Sequence, residues 1–217
     1  MKILFLGDSI TEGYMASSPS KNFVTLTAKK LGAEFKNYGV GGTRIARQEF
    51  AFPGNALLNY DFNMRFEVMD KKADLVVIMG GTNDFGQGAA PLGKENDTTP
   101  FTFNGAVNYL FDNLSKTYGN KNIIVILPLP RYNQDSIDGD GKIYKQGVVG
   151  TLADYTEIIK KAANKYDLYV ADYTKEFGVP PIEESKYFAD GLHPNDNGYE
   201  LLSNLLVNDI KALLSLK

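Results

Sequence analysis

The chain has 217 residues, of which 43% are hydrophobic and 23% charged. Those proportions belong to a folded globular chain and exclude disordered, collagen-like and coiled-coil classes. Lys+Arg 23 against Asp+Glu 26 leaves a formal net charge of −3 without a basic block, which argues against nucleic acid or an anionic membrane as partner. Cysteine is absent and histidine occurs once, at His193. Disulfides, thiolate nucleophiles, sulfur-held zinc and His-rich metal sites therefore drop out. Histidine chemistry has a single address. No apolar run reaches the ~18 residues of a membrane span. The N-terminal apolar run falls short of the ~7–15 residues of a signal-peptide core. A cytoplasmic location is the expectation, with secretion after removal of a signal left open. The length, without repeats or low-complexity linkers, leads us to expect a single domain over residues 1–217.

In chain order, residues 3–6 form the first continuous apolar run, and residues 22–31 follow as a short helix stopped by Gly32, a residue suited to the left-handed position after a helix. A weaker strand spans 34–38 and a strong one 74–79. Phe103, Val107, Leu110, Phe111, Leu114 and Tyr118 then repeat with helical period. A strand at 123–127, a helix through Leu152, Tyr155, Ile159 and Tyr166, a weaker strand at 168–171 and a leucine-rich helix over 201–214 complete the series. The strong strands are continuously apolar and not alternating, as strands covered on both faces are. Strands alternating with helices predict an α/β sandwich around a five-stranded parallel sheet with right-handed crossovers. Four polar stretches, 43–59, 85–102, 131–150 and 173–197, are long enough that they are expected to carry function.

Parallel strands end on one common edge, where ligands bind. The first strand runs into Gly7-Asp8-Ser9-Ile10, the second into Asn37-Tyr38-Gly39-Val40-Gly41-Gly42, and the third into Gly80-Gly81-Thr82-Asn83-Asp84. Asp190-Gly191-Leu192-His193 lies near the C-terminus. A serine becomes a nucleophile when a base takes its proton, and the base needs an orienting carboxylate. Asp190 and His193 are close enough in sequence for one turn to join them. The Ser9 and Gly42 amides and the Asn83 side chain are suitable donors to a developing oxyanion.

Each block alone has an ordinary explanation as a turn, a cap or a structural histidine. Together and in this order, they resemble the four sequence blocks of the SGNH (GDSL-type) hydrolase superfamily. The first block carries isoleucine where the name-giving pattern has leucine. The resemblance implies a flavodoxin-like three-layer α/β/α fold. It also implies Ser9 as nucleophile, His193 as base and Asp190 as its partner. Gly42 and Asn83, with the Ser9 amide, are implied as the oxyanion hole. Either Gly41 or Gly42 fits the second block, and spacing from Asn37 favours Gly42.

The expected function is a serine esterase acting on a small-molecule or carbohydrate ester, without metal or organic cofactor. The polar 85–102 stretch tilts the expectation to short acyl groups, such as acetyl on a sugar. Lysophospholipase, thioesterase or acyltransferase activity at the same site is the alternative. A non-catalytic carbohydrate-binding or interaction protein is the alternative of another class. Tyr14, Phe50, Phe52, Phe85 and Tyr132 lie in or beside loops placed to wall a site. Arg44 is either a substrate contact or an ordinary surface or paired arginine. Asp8 and Asp84 read as turn caps. Asp138-Gly139-Asp140-Gly141 resembles part of a calcium loop, but Gly147 stands where the bidentate glutamate belongs, so a polar turn is expected.

Overall fold

The computed structural model describes residues 1–49, 59–141 and 149–215. Within them the apolar runs become β1 (Lys2–Gly7), β2 (Glu34–Gly39), β3 (Leu75–Met79), β4 (Ile123–Ile126) and β5 (Tyr169–Ala171). Every pairing is parallel, and the strand order is β2-β1-β3-β4-β5. That is the flavodoxin-like order, in which the chain reverses direction across the sheet between β1 and β3.

The helices are α1 (Ser9–Glu12), α2 (Phe23–Leu31), α3 (Phe62–Val68), α4 (Thr82–Gln87), α5 (Phe103–Tyr118), α6 (Leu152–Lys165), α7 (Thr174–Phe177) and α8 (Asp196–Ser215). Successive strand residues point to opposite faces, and each face has its own core. Leu4, Leu6, Val76, Ile78, Ile123 and Val125 pack against α3, α5 and α6 through Phe62, Phe66, Phe103, Leu110, Tyr155 and Ile159. Ile3, Phe5, Leu75, Val77, Ile124 and Ile126 pack against α2 and α8 through Phe23, Val24, Tyr199, Leu202, Leu206 and Ile210. Three layers result, helices on both sides of one sheet, as the sequence predicts. Among the described residues no helix is long and apolar enough to cross a membrane.

Helix ends follow local chemistry. The Asn22 side chain caps α2 at Thr25 N–H, and Gly32 closes it in the left-handed conformation. Thr151 and Asp154 form a capping box on α6. The sequence reading has no helix at α3 and leaves α4 within a turn and the start of a polar loop. Both are short, and their buried positions include Asn63, Arg65, Asn83 and Asp84, so no apolar period announces them.

Candidate active site

β1 stops where Asp8 turns the chain into α1. The Asp8 carboxylate accepts a hydrogen bond from Ile10 N–H at 3.0 Å, which caps the helix and puts Ser9 in its first position. Asp8 is fully buried. Burial pushes its carboxyl up to about 7, against the Ile10 hydrogen bond and the charge of Arg65. Ser9 is 8% exposed, and among the described residues its N–H meets no acceptor.

The segment after β2 is bound tightly to α1. Asn37 donates to Thr11 C=O at 2.7 Å. A Cβ on Gly39 would lie 2.2 Å from Glu12 N, so only glycine allows this approach. The Glu12 carboxylate accepts Gly41 N–H at 2.8 Å. That engages Gly41 and leaves Gly42, at φ +73°, with no acceptor for its own N–H among the described residues. Of the two glycines the sequence left open, Gly42 is the one with a free donor.

Asn83 sits in the first turn of α4. Its amide nitrogen donates to Thr43 C=O at 3.1 Å, which leaves the second N–H for another acceptor. The neighbouring Asp84 carboxylate accepts Ile45 N–H and Ala46 N–H, both at 2.9 Å. Arg65 of α3 donates to Thr43 Oγ1 at 2.7 Å, to Gly7 C=O at 2.8 Å and to Tyr38 C=O. One buried guanidinium thus joins the ends of β1 and β2 to the loop that holds Asn83. Burial lowers it to about 10 while Asp8, Asp61 and Glu12 favour its charge. Asp8 and Asp84 are caps and loop anchors, as their sequence context suggests.

His193 lies just before α8 in a loop closed by Ala189 N–H to His193 C=O at 2.8 Å. Ser9 Oγ is 3.0 Å from His193 Nε2. On the other side of the ring, Nδ1 is 2.7 Å from Asp190 Oδ2. Asp190 Oδ1 accepts His193 N–H at 2.7 Å and Leu192 N–H at 3.1 Å. Burial pushes the Asp190 carboxyl up, but the hydrogen bonds and charge from His193 outweigh it, and the group lies below its ordinary value. An ionised Asp190 fixes the proton on Nδ1 and leaves Nε2 as an acceptor facing the Ser9 hydroxyl. The structure therefore brings Ser9, His193, Asp190, Gly42 and Asn83 to one edge of the sheet.

Other sequence candidates fall differently. Tyr14 is 52% exposed and its ring centre is 4.7 Å from that of His193. Phe85 is buried against Tyr155 and walls nothing, because α4 carries it into the core. Arg44 is buried, not a surface residue. Tyr132 is partly exposed, and its N–H donates to Gly191 C=O. Phe50, Phe52 and Gly147 lie outside the described residues. Asp140 forms an ion pair with buried Arg131 and accepts from Asn133 at 2.9 Å, so the Asp-Gly-Asp-Gly turn anchors a loop. Sequence reasoning missed Glu12 and Arg65. Glu12 stands three residues after Ser9, one turn along a helix, and Arg65 is a lone charge between Phe62 and Phe66.

Nε2 of His193 can take the Ser9 hydroxyl proton, and on the same sheet edge the Ser9 and Gly42 N–H groups and one Asn83 amide N–H have no acceptor among the described residues, an arrangement suited to acyl transfer through a tetrahedral intermediate. The sequence model of the GDSL-like lipase/acylhydrolase family matches residues 5–201. A multidomain esterase of Ruminococcus flavefaciens is 25% identical over 240 residues, covering 99% of this chain and 29% of that protein. The chain thus spans less than a third of that curated relative. A solved structure from Lactobacillus plantarum superposes with a TM-score of 0.79 at 21% identity, covering 97% of this chain and 96% of the other. Est24, a carbohydrate acetylesterase from Sinorhizobium meliloti, superposes with a TM-score of 0.64 at 20% identity, covering 98% and 99%. At these identities the two structures speak for the shared fold. With four blocks in order, the matching sheet and the near full-length family match, the chain belongs to the GDSL-like lipase/acylhydrolase family.

Proposed function

We propose that the protein is a serine esterase in which Ser9 is the nucleophile, His193 the general base and acid, and Asp190 its orienting partner. Gly42 N–H, Ser9 N–H and the Asn83 amide form the oxyanion hole. The observation that carries this reading is the continuous contact from Ser9 Oγ through His193 to Asp190, at 3.0 and 2.7 Å. Ser9 Oγ attacks the ester carbonyl while Nε2 takes its proton. The carbonyl oxygen becomes an oxyanion held by the three donors. Collapse of this intermediate breaks the bond to the alcohol, whose oxygen receives the proton from Nε2. Water then attacks the acyl-enzyme and gives its proton to the same nitrogen, which passes it to Ser9 Oγ as the bond to the acyl carbon breaks and the acid leaves.

The substrate of this reading is an ester of a short acyl group, such as acetate on a carbohydrate. Support comes from the segment after α4. Residues 88–102 are held down on α5 by Asn104 and Asn108, which donate to Leu92, Glu95 and Asp97 carbonyls at 2.8–3.0 Å. A segment so tied, with Lys94, Glu95, Asn96 and Asp97 at its turn, does not offer the continuous apolar trough a long chain needs.

The test is labelling with a fluorophosphonate and rates on p-nitrophenyl esters from acetyl to octanoyl. Wild-type protein is expected to label at Ser9, and Ser9→Ala to lose label and at least ~10³-fold of kcat/KM. Failure to label would leave a non-catalytic binding protein. A steep rise in kcat/KM towards octanoyl refutes the short-acyl assignment.

A further inference from the structure

Tyr14 is the exposed aromatic beside His193, and its backbone is held at both ends. Its N–H donates to Ser9 C=O at 2.9 Å. Its C=O accepts from the hydroxyl of Tyr199, a fully buried residue of α8, at 2.6 Å. The next residue, Met15, is at φ +67°, in the left-handed region that non-glycine residues rarely adopt. Two residues further on, Ser17 N–H and Oγ both donate to Asp196, the first residue of α8, at 2.9 and 2.6 Å. The segment carrying Tyr14 and the loop carrying His193 are therefore tied to the same helix. A half-exposed ring held so firmly, through a strained turn, is set for contact with something outside the chain.

The proposed reaction says which part of the substrate that is. His193 returns its proton to the departing oxygen, so the alcohol must leave past Nε2. The oxyanion lies on the other side, towards Gly42 and Asn83. Tyr14 stands edge to face against the imidazole, with ring planes at 71°, and so flanks the alcohol and not the acyl group. Its ring is flat and apolar with a hydroxyl at the tip. A flat aromatic face with a hydroxyl at its tip matches a ring whose faces carry C–H groups and whose rim carries hydroxyls.

We propose that Tyr14 is a specificity-determining residue that takes a pyranose ring of the leaving alcohol against its exposed face. The proposal rests on the esterase reading above. The experiment compares wild type, Tyr14→Leu and Tyr14→Phe on three acetates: a mono-acetylated methyl pyranoside, phenyl acetate and vinyl acetate, which has no ring. Tyr14→Leu is expected to lower the pyranoside-to-vinyl ratio of kcat/KM by roughly tenfold, chiefly through KM, the order of an aromatic contact. Tyr14→Phe, which keeps the flat face, is expected to hold that ratio within roughly threefold of wild type. An unchanged ratio in Tyr14→Leu overturns the proposal. So does a loss confined to phenyl acetate, which would make the alcohol an aryl group. Fluorophosphonate labelling of each variant separates the two readings. Labelled Ser9 with an unchanged ratio removes only the role of Tyr14, whereas unlabelled wild-type Ser9 removes the esterase reading as well.

Discussion

Replacing Asp190 with asparagine tests the orientation of the imidazole with little change of shape. In the Asn variant Oδ1 can still accept Leu192 N–H and His193 N–H, which lie at 3.1 and 2.7 Å. The amide nitrogen then takes the place of Oδ2, 2.7 Å from Nδ1. Two N–H donors cannot face each other, so the ring moves its proton to Nε2. That nitrogen, 3.0 Å from Ser9 Oγ, then donates where it has to accept. Returning to the competent tautomer forfeits a charge-assisted bond of ~2–3 kcal/mol and opposes two donors at a similar cost. The sum, ~4–6 kcal/mol, corresponds to ~10³–10⁴ in rate. The Asp190 side chain is 36% exposed, so water relieves part of the clash and the lower figure, ~10³, is the expected fall in kcat. Asp190→Ala is the comparator. It strips both loop amides of their acceptor, so its Tm should fall further, by ~4–8 °C for ~2 kcal/mol. Yet water can meet Nδ1–H in the alanine variant, so its kcat should fall less. Steady-state rates on p-nitrophenyl acetate and melts by circular dichroism read both effects. A fall in kcat under tenfold for Asp190→Asn, with a normal melt, would refute the orienting role.

Asn83→Ala should lower kcat by ~10²–10³ with KM little changed, because the donor acts on charge that develops in the transition state; equal kcat would take Asn83 out of the oxyanion hole. Glu12→Ala should cost roughly tenfold in kcat, about one hydrogen bond, by freeing the Gly41 peptide, while Glu12→Gln, which can still accept that N–H, should recover most of it. Failure of the Gln variant to recover would place the effect in the charge of Glu12. Asp8 makes stability depend on pH. Its carboxyl stands at about 7 when folded against an ordinary 3.8, so the folded state holds the extra proton between those values. Stability should therefore fall as pH rises from about 4 to about 7, by ~4 kcal/mol at ~1.4 kcal/mol per pH unit. Asp8→Asn removes that ionisation, and its Tm should be higher than wild type above pH 7 and similar near pH 4. Parallel Tm–pH curves for the two proteins would rule out Asp8 as the source.

The sheet was readable because apolar runs at 3–6, 74–79 and 123–127 leave no other place to go. β2 was readable in spite of its exposure, since it ends in the glycines of the second block. α3 was hidden because its buried face holds Asn63 and Arg65 beside Phe62 and Phe66, which cancels the hydrophobic period. α4 was hidden by its six residues and by an interior glycine. The residues that meet at Ser9 were legible as blocks. The contacts that hold them were not, because Glu12 to Gly41 and Arg65 to Thr43 depend on how two chain segments pack, which no local pattern encodes. Arg44 illustrates the limit. Its sequence neighbours give no sign that it is 2% exposed.

Thr43 has a consequence for how this protein can be altered. Its hydroxyl receives Arg65 while its carbonyl holds Asn83, so one small residue makes the position of an amide answerable to a separate helix. The outer side of that helix is open, with Met64 39% and Val68 78% exposed. Substitutions there act on the helix that carries Arg65 and not on Ser9, His193 or Asp190. Turnover could then be tuned from the outside of the fold, independently of which ester is preferred.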